Sequence, residues 1–244
     1  MQANLQLILF YSALPALAMV LGGSIAVFRV PSPRVRSMVQ HFAAGVVFAA
    51  VAAELLPVIT REQRLAPLIV GFLCGVGTML SAGWLVDCLA AAPDPDDETR
   101  TPIGLLLGVA VDVFIDGLLV GVSFAAGPET GVLITVALTL ELLFLGLATS
   151  AALAKTGKTI LYVGTTLLIL TLLLLGGATL GGTLLAGLSG ARLVAVLAFA
   201  TAALLYLVTE ELLVEAHDIP DTALATTMFF VGFLTLLVIE ISSH

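Results

Sequence analysis

Asp112, Asp116 and Glu141 are carboxylates set inside long runs of apolar residues. Asp112 and Asp116 stand at i and i+4, so a helix would put them on one face, about 6 Å apart along its axis. Two carboxylates placed in this way make a clamp for a divalent cation, because hard cations take oxygen ligands. Glu141 lies in the next apolar run, where an antiparallel helix could bring its oxygens to the same depth. Glu54, Glu210 and Glu211 are three further acids in apolar surroundings. Glu210 and Glu211 are adjacent, so on a helix they point about 100° apart and cannot face one site equally. Glu54 precedes Pro57, which is expected to kink or end its helix. These three are secondary candidates for metal ligation, and they read either as a second polar patch, a vestibule, or as acids in a wet crevice.

The depth of these acids is what makes them informative. One acid at the centre of a membrane helix costs roughly 2.5–3.5 kcal/mol on insertion scales, so six cost on the order of 15–20 kcal/mol. That exceeds the stability of a typical protein. They must be protonated, paired, hydrated or bound to a cation. No lysine or arginine falls at comparable depth in the sequence. Protonation and cation binding are left, and the two can alternate. A lone acid could also be neutral and bond a backbone carbonyl. That alternative fits a single acid better than it fits the set of Asp112, Asp116 and Glu141.

The elements that must position these residues follow from composition. The chain has 244 residues, 60% of them hydrophobic and 11% charged, with a mean hydropathy of +1.17. A water-soluble fold of this size cannot hide so much apolar surface. Disordered chains are poor in hydrophobes, so disorder is excluded as well. Nine basic against seventeen acidic residues give a net charge of −8, the wrong sign for a nucleic-acid partner. The apolar runs are too long for barrel strands. Cys74 and Cys88 make neither a disulfide framework nor a zinc cluster. The expectation is an all-α integral membrane protein whose partner is the lipid bilayer.

A span needs roughly 20 apolar residues. Eight are expected, at about 4–28, 37–59, 66–91, 102–126, 129–154, 159–185, 192–216 and 221–241, forming one polytopic domain over 1–244. The first lacks the basic start of a secretory signal. The one clearly polar, proline-rich loop is PDPDDETRTP at 93–102. Connections 1–2, 3–4, 5–6 and 7–8 carry Arg29, Arg34, Arg36, Arg100, Lys155 and Lys158, against Arg61, Arg64 and Arg192 on the other side. The side richer in basic residues is expected to be cytoplasmic, which puts both termini outside. Asp87, Glu240, His41 and His244 are expected at solvated ends, and Glu215 near the membrane surface with His217.

Several segments resemble the ZIP family of divalent metal transporters, over nearly the whole chain. DVFIDGLLVGVSFAAGPETG at 112–131 is similar to the family's fourth helix, usually His-Asn-x-x-(Asp/Glu)-Gly. LELLFLGLATSAAL at 140–153 is similar to the fifth, normally His-Glu-x-Pro-x-(Glu)-Gly-x-Ala. AAGVVFAAVAAELLP at 43–57 and LYLVTEELLVEAH at 205–217 resemble the second and seventh helices, and GGATLGG at 176–182 sits where the sixth often has Glu-Pro-x-Gly-Gly. The resemblance implies an eight-helix bundle with both ends outside. It also implies import of a divalent metal between helices 4 and 5, by one helix group sliding against another. A homodimer would suit the family, though no sequence feature specifies one.

Departures from the pattern are as telling. By the resemblance, Asp112 stands at the fourth helix's metal-binding histidine, Asp116 keeps the acidic position, and Glu141 stands at the fifth helix's histidine. Leu145 takes the place of that helix's later glutamate. The second-site positions hold Val113, Leu142 and Ala178. Glu54 and Glu210 replace histidines, and Glu211 keeps the acid after the latter. One site is thus implied, of oxygen ligands only. Zinc favours imidazole and thiolate, whereas all-oxygen sites suit manganese, magnesium or calcium. Zinc affinity is expected to fall, and manganese, iron(II) or magnesium becomes the more natural cargo, with cadmium also a candidate. The three acids should couple, so that a proton could replace the metal on return.

Competing readings are a sensor or other non-transporting relative, a carrier of protons or a monovalent cation, and an intramembrane enzyme. An aspartyl protease needs two aspartates on facing helices. Asp112 and Asp116 share one helix and no Gly-x-Gly-Asp is present, so the chain is not expected to be an enzyme. Without targeting segments or long loops, it is expected in a prokaryotic plasma membrane.

Overall fold

The computed structural model describes residues 2–28, 32–89, 103–184, 188–217, 220 and 222–243. Arg29, Arg100, the 93–102 loop, Asp218, Asp221 and His244 lie outside them, as do the side chains of Asp87, Lys155 and Glu215. The described residues are helical with short connections and include no strand. We number the helices α1 (Gln2–Phe28), α2 (Pro33–Glu62), α3 (Leu65–Leu89), α4 (Ile103–Ala126), α5 (Pro128–Lys155), α6 (Ile160–Leu184), α7 (190–216) and α8 (Ala223–Ser243). All eight are long and apolar enough to cross a membrane, which defines a multi-pass membrane protein.

The helix boundaries have local causes. Ser32 caps α2, its hydroxyl accepting from the Val35 N–H, with Pro33 in the first turn. Gly127 separates α4 from α5 at φ 155° and ψ 156°, a region essentially restricted to glycine. Pro128 then opens α5.

Pro57 corrects half of an expectation. It does not end α2, which runs on to Glu62 and starts four residues earlier than the apolar run indicates. The turn before it, Val51–Leu55, widens into a π-helix, with the Leu56 N–H bonded to the Val51 carbonyl five residues back. A proline in a helix clashes with the carbonyl four residues before it. The wide turn relieves that clash at Ala53. A second π-turn, Leu207–Leu212, interrupts α7, and nothing in its own sequence explains it.

The helices pack in pairs: α1 on α5, α4 on α6, α2 on α8 and α3 on α7. Lipid tails are as apolar as leucine, so close van der Waals packing must hold such pairs, and small residues permit it. On α4, a Cβ at Gly117 would lie 2.2 Å from the Leu174 carbonyl oxygen; on α6, one at Gly177 would lie 2.4 Å from that of Phe114. Backbone meets backbone along this seam.

Two groups result. Helices α1, α4, α5 and α6 enclose one apolar cluster, containing Met19, Val113, Leu142 and Leu174. Helices α2, α3, α7 and α8 form the other group, and a larger cluster joins it to one face of α4 and α5 through Ile115, Leu119, Ile134 and Leu138. Large apolar side chains such as Phe10, Leu161 and Phe230 are exposed on the periphery, which suits contact with lipid.

His41 is a second correction. It is buried rather than set at a solvated end. The start of α2 packs beneath the end of α7, where the Ser37 hydroxyl donates to the Ala216 carbonyl at 2.7 Å, and this covers the ring one turn further on.

Candidate metal site

Asp112 and Asp116 lie one turn apart on α4, and Glu141 lies on α5, which packs against it. All three are buried, at 7%, 0% and 3% exposure. One ligand oxygen from each lies within 4.8 Å of the other two. Two oxygens on opposite sides of a bound cation are roughly 4–5 Å apart. The three carboxylates can therefore close on one ion with little movement.

Asp116 is the extreme member. Neither of its carboxylate oxygens has a hydrogen-bond partner. A buried polar group without a partner carries a desolvation penalty, and a buried charge a larger one. A cation is the kind of partner that would offset it. Threonine and serine hydroxyls do not fill this role, because most in the bundle donate to backbone carbonyls of their own helix, as Ser123 does to Val120 and Thr135 to Gly131.

The second acidic set divides. Both π-turns carry it: Glu54 in Val51–Leu55, and Glu210 and Glu211 in Leu207–Leu212. Glu54 is buried, Glu211 half-buried and Glu210 exposed. Adjacent residues on one helical turn point in different directions, so the last two cannot share one environment. Glu211 lies near enough to Asp116 for their charges to repel. Thus α7 brings one acid to the edge of the cluster from the other helix group, and Glu210 points elsewhere. An inserted residue in a helix turns every later side chain by about 100°, and π-turns recur at functional sites. The two glutamate-bearing turns are such insertions. Sequence reasoning missed them; Pro57 was a usable signal for the first, and the second has none.

Val113, Leu142 and Ala178 are fully buried, and the first two belong to the apolar cluster of the α1, α4, α5 and α6 group. No ligand set can form there.

No protein-family model matches the chain, and no match is found among the curated proteins.

Proposed function

We propose that the protein carries a divalent metal cation across the membrane and binds it at Asp112, Asp116 and Glu141. The observation that carries this reading is Asp116: fully buried, with both oxygens lacking a hydrogen bond, beside two other buried acids. A site with no task gains nothing from three such groups. Its place supports transport over storage. The three acids belong to one helix group, and Glu211, on the other, lies near enough for its charge to act on Asp116. Relative movement of the groups would change what surrounds the ion.

The resemblance to the ZIP family supports the same reading, since the grouping of the helices suits one group sliding against the other. Under this reading, the basic residues of the odd-numbered connections put that face in the cytoplasm and both termini outside, in the plasma membrane of a prokaryotic cell. The apolar filling at Val113, Leu142 and Ala178 favours one metal site per chain. It also suits a second reading, a relative that kept the fold and does not transport; the buried acids argue against that.

Oxygen ligands alone favour hard cations. In proteoliposomes of the purified protein, uptake of manganese or iron(II) is expected to exceed that of zinc at equal concentration. Cadmium, cobalt and magnesium complete the screen. Asp112→Asn and Glu141→Gln are each expected to abolish metal-dependent uptake. Normal uptake in both would reject the assignment.

A further inference from the structure

A groove of about 310 Å³ lies where the two helix groups meet. Its walls include Gly71 and Cys74 of α3, Leu118 and Val122 of α4, and Val196 and Phe199 of α7. The walls from α3 and α7 are fixed against each other, because a Cβ at Gly71 would lie 2.1 Å from the Ala195 carbonyl oxygen. The wall from α4 belongs to the other helix group. An occupant would therefore touch both groups.

Depth decides what can enter. Helices α3 and α7 begin, and α4 ends, at one face of the bundle. The lining residues all fall within roughly ten residues of those helix ends. At 1.5 Å per residue they lie no deeper than about 15 Å, which is half of a hydrocarbon core about 30 Å thick. The groove thus stays within one leaflet, where the surrounding medium is acyl chain.

Charge at the mouth decides which lipid. Arg192 stands four and seven residues before Val196 and Phe199, so it shares their stripe on α7. Side chains on a helix lean toward its start, and a long arginine reaches on to headgroup level. Arg64 comes to the same place from the α2–α3 connection: a Cβ at Gly190 would lie 3.7 Å from its Nη2. Arg64 also holds Glu62 at 3.7 Å, but both side chains are exposed and a pair of that kind is weak.

We propose that the protein binds an anionic phospholipid here, with the phosphate at Arg64 and Arg192 and an acyl chain in the groove among α3, α4 and α7. Any chain of the bilayer could brush an apolar groove. Two arginines at its mouth select a headgroup of net negative charge over a zwitterionic one. The inference does not depend on transport at Asp116.

Native mass spectrometry of the full-length protein in detergent counts retained lipids. Phosphatidylglycerol and phosphatidylcholine with the same chains are compared. One phosphatidylglycerol is expected to be held, at least about fivefold more tightly than phosphatidylcholine. Arg64→Gln and Arg192→Gln, both at exposed positions, should each weaken it roughly fivefold. Cys74→Trp fills the groove from an exposed position. In protein that melts as the wild type does, it should weaken binding although both arginines remain. Phosphatidylglycerol with a photoreactive group in its chain should crosslink to peptides holding Cys74, Leu118 or Phe199. Glycerol phosphate, the same headgroup chemistry without a chain, should not displace the lipid. Equal retention of the two lipids, binding that survives the double arginine variant or Cys74→Trp, displacement by glycerol phosphate, or crosslinks confined to other helices would each overturn the site. Metal uptake plays no part in these measurements, so either reading can fail without the other.

Discussion

Asp116→Asn is expected to abolish metal uptake while leaving the bundle folded. Asparagine matches the shape of aspartate and removes only the charge. Losing one member of a desolvated charge pair costs about 2–5 kcal/mol. At metal concentrations below saturation that is a loss of roughly 30-fold to more than 1,000-fold. The fold should tolerate the change, because the wild-type carboxylate has no hydrogen bond to lose and sits near other acids. The Tm of the metal-free variant should equal or exceed that of the wild type. Added metal separates the readings further. A ligand at 100 times its Kd stabilises by about 2.7 kcal/mol, worth roughly 5–11 °C in a chain of this size. The wild type should show that rise with manganese and the variant should not. A rise without uptake would indicate a sensor-like relative, and neither rise nor uptake would remove the metal from the account.

The eight helices were legible because solvent dictates them. In a bilayer, a chain must satisfy its own backbone, and long apolar runs can do so only as helices. The i, i+4 spacing of Asp112 and Asp116 was equally plain, since helix geometry alone puts them on one face. Bringing Glu141 to them was a weaker inference. It required α4 and α5 to be neighbours at the right depth, and the short Gly127-Pro128 turn made them so. What the residues did not announce depends on contacts distant in sequence. His41 looks like an interfacial residue until α7 is laid over it. Glu211 looks no different from Glu210 until the π-turn sets the direction of each. Apolar periodicity is also uninformative here. A bundle helix that is apolar on every side gives little sign of which face meets protein and which meets lipid.

The same ambiguity gives the sharpest test of the packing, at Gly176 and Gly177. They are neighbours on α6 and read alike in sequence, yet they face opposite surroundings. A Cβ at Gly177 would meet the Phe114 carbonyl oxygen at 2.4 Å and the Leu118 N at 3.0 Å. Both are backbone atoms of α4 and cannot rotate aside. A Cβ at Gly176 would meet nothing within 4 Å. Gly177→Ala must therefore push α6 away from α4. Overpacking of this kind costs typically 1–3 kcal/mol, a fall in Tm of roughly 2–12 °C. Gly176→Ala should leave Tm unchanged or raise it slightly, because alanine is the better helix former. Asp116 lies on α4 between Phe114 and Leu118, both of which a Cβ at Gly177 would meet. Displacing α4 at that level should shift its carboxylate relative to Glu141 and weaken uptake along with stability. Equal melting of the two variants would mean that α4 and α6 do not meet along this seam. The helix pairing that sets the depth of the carboxylates would then have to be redrawn.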